Sequence, residues 1–514
     1  MHADSPVKWG KVIDDRKCIG CHACTTACKM EHQVPLGVTR TYVKQVDVGV
    51  YPNVSRHFQV TRCNQCENPP CVEICPVSAM FQRQDGIVDF ERDVCIGCKA
   101  CMAACPYDAI YIDPQSHSAE KCNFCAHRID QGLEPACVIV CPERALIVGD
   151  LNDPESEVSS LLAREKVDVR RPEKGTNPKV MYIEASQYTL VPGMAAVPET
   201  HAYSQQKEGY PREVNLLQQL LAESGMASSG VKGQAPGGSA AAAILAYDVP
   251  HRAPWDWRVS AYTWTKSLAA GFYLLAALLP GAGAWALQAN FAAGVFLALT
   301  GLLLIADLKH PGRFLSLFRR PQWRSWLARG ALIITGFGAV LGVDVISRLA
   351  GMPAIGSALR MAGVPLAVLT AVYTAFLFAQ ARGRDLWQNP ALPLHLLTQA
   401  VMAGAAGLLL MGPLLPGGGA GTVTWVLAGA IALHLALVLS EILLPHPTRD
   451  AGRAARQMTA GAWRGVYWGA AGAHVAGALV TFAVAPWAGA ALALAGLLAY
   501  EHAYVQAGQS VPQS

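Results

Sequence analysis

Cys18-Ile19-Gly20-Cys21-His22-Ala23-Cys24-Thr25-Thr26-Ala27-Cys28 decides how the first third of this chain is read. Its four thiols follow the spacing C-x2-C-x2-C-x3-C, which returns at Cys95, Cys98, Cys101 and Cys105. Two further groups keep the first and last pairs but stretch the middle gap. They are Cys63, Cys66, Cys71 and Cys75, and then Cys122, Cys125, Cys137 and Cys141. Proline follows the last cysteine in three groups, as Pro76, Pro106 and Pro142, while Lys29 takes that place in the first.

Three thiolates on one tight loop can reach three corners of an iron–sulfur cube, and a fourth at the start of a new element can reach the neighbouring cube. Structural zinc also uses C-x2-C pairs. Zinc does not need a third cysteine two residues on, nor a fourth followed by proline. All 16 cysteines lie between Cys18 and Cys141. Such near neighbours make poor long-loop staples, so a disulfide framework fits badly. Metal-held thiolates in a reducing compartment fit better. Four [4Fe-4S] clusters are expected.

Outward from these groups the composition changes. The 514 residues are too many for one compact domain, and 52% are hydrophobic against 15% charged. That balance predicts a membrane part. The net charge of +4 does not point to nucleic acid, and no such partner is expected. Residues 1–190 form the cysteine-rich zone. Residues 191–257 read as a flexible linker, because Gly225-Met226-Ala227-Ser228-Ser229-Gly230 and Pro236-Gly237-Gly238-Ser239 are too small to build a core. The apolar run from Ala240 to Ala246 is too short to span a bilayer. Residues 258–514 hold eight apolar stretches near the ~20 residues a span requires. They lie at 261–280, 291–308, 327–346, 358–380, 393–413, 423–444, 463–483 and 486–506.

The loops after the even spans carry Lys309, Arg313, Arg319, Arg320, Arg324, Arg329, Arg382, Arg384, Arg449, Arg453, Arg456 and Arg464. Those after the odd spans offer only Arg348 and Arg360. This excess predicts that the even loops face the cytoplasm. The cysteine-rich zone then lies on that side of the cytoplasmic (inner) membrane. Met1 to Cys18 shows neither an apolar core nor a twin arginine, which agrees.

With Asn64-Gln65 and Glu67-Asn68-Pro69-Pro70 in the second group, and Gly149-Asp150-Leu151-Asn152-Asp153-Pro154 behind the fourth, residues 8–185 resemble the four-cluster ferredoxin subunit of molybdopterin oxidoreductases. That class includes dimethyl sulfoxide, polysulfide and nitrate reductases. Asp307-Leu308-Lys309-His310-Pro311-Gly312-Arg313-Phe314 and Trp323-Arg324-Ser325-Trp326 are similar to the eight-helix membrane anchor of polysulfide and dimethyl sulfoxide reductases. In many members the two parts are separate chains; here they are joined. The resemblance implies an α+β ferredoxin-like iron–sulfur domain followed by an all-α eight-helix transmembrane bundle in membrane lipid. It implies that Cys18, Cys21 and Cys24 share a cluster with Cys141, and Cys122, Cys125 and Cys137 one with Cys28. Cys63, Cys66 and Cys71 would pair with Cys105, and Cys95, Cys98 and Cys101 with Cys75. It also implies a molybdopterin-containing catalytic subunit as partner and a quinone or quinol, menaquinone or ubiquinone, as diffusible partner.

Ionisable groups in membrane helices point to function. Asp307, His310 and Arg313 end the second span, where they would close a quinone pocket or anchor the helix at the headgroups. Tyr262, Trp264 and Lys266 open the first span and join the same candidate set, the other reading being an aromatic belt with a snorkelling lysine. His395 reads as interfacial. His434 and His474, mid-span, are open to a haem, to packing, or to a proton path with Glu441. Asp344 and Arg360 read as a structural ion pair.

No molybdopterin, flavin, nicotinamide or nucleophile motif is visible, so the chain is expected to be a non-catalytic electron-transfer and anchor subunit. The alternatives are a proton-translocating quinone-reactive module, and an anchor that passes electrons to another protein without quinone. A cytoplasm-facing complex resembles sulfite-oxidising relatives, which favours sulfite; dimethyl sulfoxide, polysulfide, tetrathionate and formate are the alternatives.

Overall fold

The computed structural model describes residues 7–50, 52–197, 243–280, 285–412 and 420–514. Short strands in the cysteine-rich half hold the thiol loops in place. Besides two small hairpins, Met80–Gln82 with Val88–Phe90 and Ile110–Ile112 with Ala119–Lys121, they are β1 (Trp9–Asp14), β2 (Thr41–Val50), β3 (Asn53–Arg62), β4 (Leu146–Asp150), β5 (Val167–Asp168) and β6 (Val180–Ile183). β1 pairs antiparallel with β4 and parallel with β6, and β5 closes the far edge. Both faces of this sheet are covered, so β-branched and aromatic residues such as Val12, Ile13, Val180, Tyr182 and Ile183 run through it without a polar face. β2 and β3 form a hairpin in register from Thr41↔Arg62 to Val50↔Asn53. Helical turns Ala23–Glu31, Pro70–Ile74, Ala100–Ala104 and Ala136–Ile139 carry cysteines between these strands. The domain is α+β, as expected.

The stretch read as a linker is partly built into the fold. β7 (Ala243–Tyr247) adds antiparallel to the free edge of β2. A run too short for a bilayer is long enough for a strand, and Ala243 packs with Val46 and Ala195. Further on, Trp255 is buried, stacked on Phe378 and Trp387. Residues 198–242, with both glycine-rich runs, lie outside the described residues.

Eight long helices follow: α1 (Trp257–Leu278), α2 (Ala286–Asp307), α3 (Trp326–Leu349), α4 (Pro353–Gln380), α5 (Leu392–Leu410), α6 (Ala420–Leu443), α7 (Arg464–Ala483) and α8 (Pro486–Gly508). Seven are long and apolar enough to cross a membrane. α1 has the length but buries Ser260, Thr263, Thr265, Lys266 and Ser267. Those groups tie it to its neighbours. Thr263 Oγ1 donates to Glu501 Oε2 at 2.7 Å, Thr265 meets Thr300 at 2.8 Å, and Lys266 Nζ donates to Thr374 Oγ1 at 2.7 Å. Where the exterior is as apolar as the interior, such bonds and close small-residue contacts hold helices together. The second device is also present. A Cβ on Gly271 of α1 would lie 1.9 Å from the carbonyl oxygen of Ala400 on α5. Phe291, Leu302, Ile346, Leu479 and Phe482 face outward, forming the apolar exterior that lipid would cover.

The cationic loops at one end of the bundle meet the cysteine-rich half. Lys99 Nζ stands 2.7 Å from Asp307 Oδ1, Arg382 pairs with Glu73 at 3.2 Å and Arg384 with Asp108 at 3.1 Å. Lys174 pairs with Asp385 and Arg171 with Asp450. Burial works to raise Asp108, but Arg384 and His251 hold it down at about 2. The last residues strap the two halves together: Arg170 Nη2 donates to the Gln513 carbonyl at 2.9 Å and Trp255 N to Gln509 Oε1 at 3.0 Å.

The Lys99–Asp307 pair is almost free of solvent, at 8% and 10% side-chain exposure. Lys99→Met alone strands Asp307 and should cost about 3–5 kcal/mol, whereas Lys99→Met/Asp307→Leu should recover part of it. Thermal unfolding of the full chain in detergent reads this. A double variant no better than the single would show that the pair is not coupled.

Candidate functional site

Cys18-Ile19-Gly20-Cys21-His22 and Cys95-Ile96-Gly97-Cys98-Lys99 adopt one backbone. Gly20 and Gly97 both have φ +69°, and His22 and Lys99 follow at φ +61° and +63°. These left-handed turns reverse the chain so that the next helical turn brings in the third cysteine. A side chain at Gly97 would strike Lys309, whose Cβ lies 2.4 Å from that point. The loop after α2 therefore sits directly on this thiol loop, and His310 N donates to the Ile96 carbonyl at 3.2 Å.

The structure brings the thiols into four sets. Cys18, Cys21, Cys24 and Cys141 line one small cavity; Cys75, Cys95, Cys98 and Cys101 line another. Cys28 and Cys125 are each repelled by Cys122 and Cys137. Cys66 and Cys71 are each repelled by Cys63 and Cys105. The sets adjoin in a row, because Cys24 senses Cys137, Cys63 senses Cys122, and Cys101 senses Cys71. Among the described residues no three His, Cys, Asp or Glu side chains close on a point suited to a single metal ion.

The surroundings suit electron-rich sulfur. Gly97 N and Ala119 N point at Cys95 Sγ at 3.4 Å, Ala145 N at Cys141 Sγ at 3.3 Å, and Met80 N at Cys75 Sγ at 3.5 Å. His32 Nε2 lies 3.2 Å from Cys125 Sγ. Burial pushes Cys66 and Cys105 up to about 12. At Cys137 burial is outweighed by Arg62 and Lys11, and the thiol comes down to about 6. Thiols in fours with N–H groups aimed at sulfur fit iron–sulfur clusters, whose hydrogen bonds and charges tune them.

Beside the last set, at the mouth of the bundle, lies an apolar cavity of about 210 Å³. Cys98 forms part of its wall, with Trp255, Tyr262, Asp307, Phe318 and Tyr373 among the other lining residues. Of the six candidates in the membrane part, Tyr262 and Asp307 therefore stand in one site. The others do not line it. Lys266 is fully buried against α4, so it does not snorkel. Trp264 Nε1 donates to Leu494 O of α8 at 3.0 Å. His310 Nε2 lies 2.9 Å from Ser116 O, and Arg313 Nη1 donates to Arg92 O and Cys95 O, both at 2.9 Å. They serve docking: the short loop after α2 turns them toward the cysteine-rich half. Trp255, Phe318 and Tyr373 carry no motif, and only packing collects them.

A second polar group lies inside α5 to α8. His395 is 1% exposed rather than interfacial, because side chains of α6 and α8 pack against it at the start of α5. Its Nε2 lies 2.9 Å from His434 Nδ1, and its Nδ1 3.4 Å from Glu441. Tyr500 donates to Glu441 at 2.8 Å. The rings of His434 and His474 are 4.6 Å apart, which leaves no slot for a porphyrin between them. Asp344 pairs with Arg348, one turn along its own helix at 3.0 Å, in place of Arg360.

Residues 54–151 match a 4Fe-4S dicluster domain, and residues 248–511 match the family described as polysulphide reductase, NrfD. The cysteine-rich half is 43% identical over 198 residues to a subunit of tetrathionate reductase from Salmonella typhimurium, covering 38% of this chain and 79% of that protein. It is 42% identical over 179 residues to a component of polysulfide reductase from Wolinella succinogenes, covering 34% and 94%. It is also 42% identical over 177 residues to protein NrfC of Escherichia coli, covering 34% and 79%. With an iron–sulfur electron-transfer half and a multi-pass membrane half on one polypeptide, the chain thus belongs to the NrfD polysulphide reductase family.

Proposed function

We propose that this chain carries electrons through four [4Fe-4S] clusters between a molybdopterin-containing catalytic subunit and a quinone in the cavity beside Cys98. The clusters are one-electron carriers. Their ligand sets are Cys18/Cys21/Cys24/Cys141, Cys28/Cys122/Cys125/Cys137, Cys63/Cys66/Cys71/Cys105 and Cys75/Cys95/Cys98/Cys101. The observation that carries the reading is the cavity: an apolar space at the membrane end with a residue of the last thiol set in its wall. Aromatic and aliphatic side chains suit a quinone ring and tail. Tyr262 and Asp307 supply the few polar atoms that orient its oxygens and hold a proton there. The outer end of the row is Cys21, the one exposed thiol, where a catalytic partner reaches the first set.

Relatives named for tetrathionate, polysulfide and dimethyl sulfoxide reductases support a sulfur-compound substrate without naming sulfite, while one is named for selenate. The loop charges support a cytoplasmic face, and with it sulfite oxidation. Part of that bias has a second cause, since Arg313, Arg382 and Arg384 are held by the cysteine-rich half and Arg453 by the Pro192 and Gly193 carbonyls just after it. Lys309, Arg319, Arg320, Arg324, Arg329, Arg449, Arg456 and Arg464 then carry the orientation argument.

Anaerobically purified protein should contain about 16 iron atoms and as much sulfide per chain, on four cubanes. A content near half of that, or stoichiometric zinc, rules the cluster assignment out. Gly301 lines the cavity with open space around it. Gly301→Phe should abolish quinol oxidation and quinone reduction and leave every cluster signal in place. Unimpaired turnover would remove the quinone from this cavity. A reporter active only outside the cytoplasm should work when fused near Trp285 and stay silent after Ser514. The opposite pattern would favour the exported reductases over sulfite oxidation.

A further inference from the structure

Arg62 ends β3 and is 2% exposed. Its Nη1 donates to Cys137 Sγ at 3.1 Å, while Nε and Nη2 have no partner. Lys11, fully buried at the centre of β1, places Nζ 3.5 Å from the same sulfur and over the ring of Phe124. Among the described residues neither cation pairs with a carboxylate. Burying a charge with no partner is costly, and an anionic neighbour offsets that cost. Here that is Cys137 and whatever it holds.

The other sets are arranged differently. At the membrane end Lys99 is neutralised by Asp307. Beside the set of Cys63, Cys66 and Cys71 stand two lysines: Lys179, which pairs with Glu67 at 3.5 Å, and Lys121, whose Nζ donates to backbone carbonyls and pairs with no carboxylate among the described residues. Cys18, at the outer end, has the carboxylate of Asp15 nearby. Uncompensated positive charge is thus greatest at the second set. Reduction adds one electron, and one negative charge, to a centre that four thiolates already make anionic. No bond forms or breaks, so the nearby charge acts directly on the potential.

We propose that Arg62 and Lys11 give the cluster held by Cys28, Cys122, Cys125 and Cys137 the most positive potential of the four, making it the site where an electron rests between the catalytic partner and the membrane. Arg62 and Lys11 are positioning residues: their charges work through the cluster and touch no substrate. The inference rests on the four-cluster reading, which iron content and the number of paramagnetic signals test separately in the same samples.

The experiment is a redox titration of the full chain followed by electron paramagnetic resonance, for the parent, Arg62→Gln, Arg62→Lys and Lys11→Met. In Arg62→Gln the most positive midpoint should fall by at least tenfold in the reduction equilibrium, which is 59 mV for a one-electron couple. Lys11→Met should move the same signal in the same direction, the other three should move less, and Arg62→Lys should stay near the parent. An unmoved most-positive midpoint with iron content retained overturns the proposal. So does a larger shift in another signal. If Arg62→Gln loses its cluster, Lys11→Met decides by the same criterion.

Discussion

Buried thiolates need a counter-charge or a metal, and the cysteine-rich half is arranged around that need. Twelve of its sixteen thiols are buried in fewer than two hundred residues, leaving little room for an ordinary apolar core. The core that exists reflects this, since cysteines sit among its members beside Ile74, Val88, Ala100 and Ala104. The strands serve the loops: β1 brings Lys11 to Cys137, and β3 delivers Arg62 to the same sulfur. Left-handed turns at Gly20 and Gly97 let three thiols of a set come from a single loop. A domain built in this way draws much of its stability from what the thiols hold, as metal-nucleated folds do.

The need for matched charge continues across the seam. The loop after α2 lies on Gly97, Asp307 answers Lys99, and Arg313 reaches the Cys95 carbonyl. Arg384 holds Asp108, and Asp385 and Asp450 in turn take Lys174 and Arg171. Charges from both halves leave water on docking, so the pairs across the seam must offset that desolvation through close geometry. Joining the halves on one polypeptide fixes their ratio and raises their effective concentration, which suits a seam made of desolvated ion pairs.

The cysteine spacing makes the first half legible, because a cube-binding loop tolerates few alternatives. Apolar length does the same for the long helices. Two departures have physical causes. Length alone sets the run at 243–247 only against a bilayer, although the open edge of β2 gives it another use. Distance from a helix end places Lys266 and His395 at the interface, but that is a one-dimensional measure. In the bundle α1 is surrounded by α2, α4, α5 and α8, so even its first turns are interior. The cavity wall is half legible. Asp307 and Tyr262 stand out as polar groups near span ends, but Phe318, Tyr373 and Trp255 come from three separate segments that only tertiary packing joins.

The bundle contains two polar regions of different character. The cavity beside Cys98 draws on α1 to α4, whereas His395, His434, His474, Glu441 and Tyr500 belong to α5 to α8. Among the described residues none lines the first and belongs to the second. α1 connects them: Tyr262 is in the cavity wall, and the next residue, Thr263, donates to Glu501 of α8. Glu501 shares a small void with His395, Gln399 and Tyr500. Adjacent residues on a helix point about 100° apart, so one turn of α1 faces both regions at once. α4 makes a second connection, since Leu377 lines the cavity and the next residue, Phe378, lines the void beside His395. The place of α1 between the two regions gives a physical reason for the polar residues which keep it, alone among the eight long helices, below the apolarity of a membrane span.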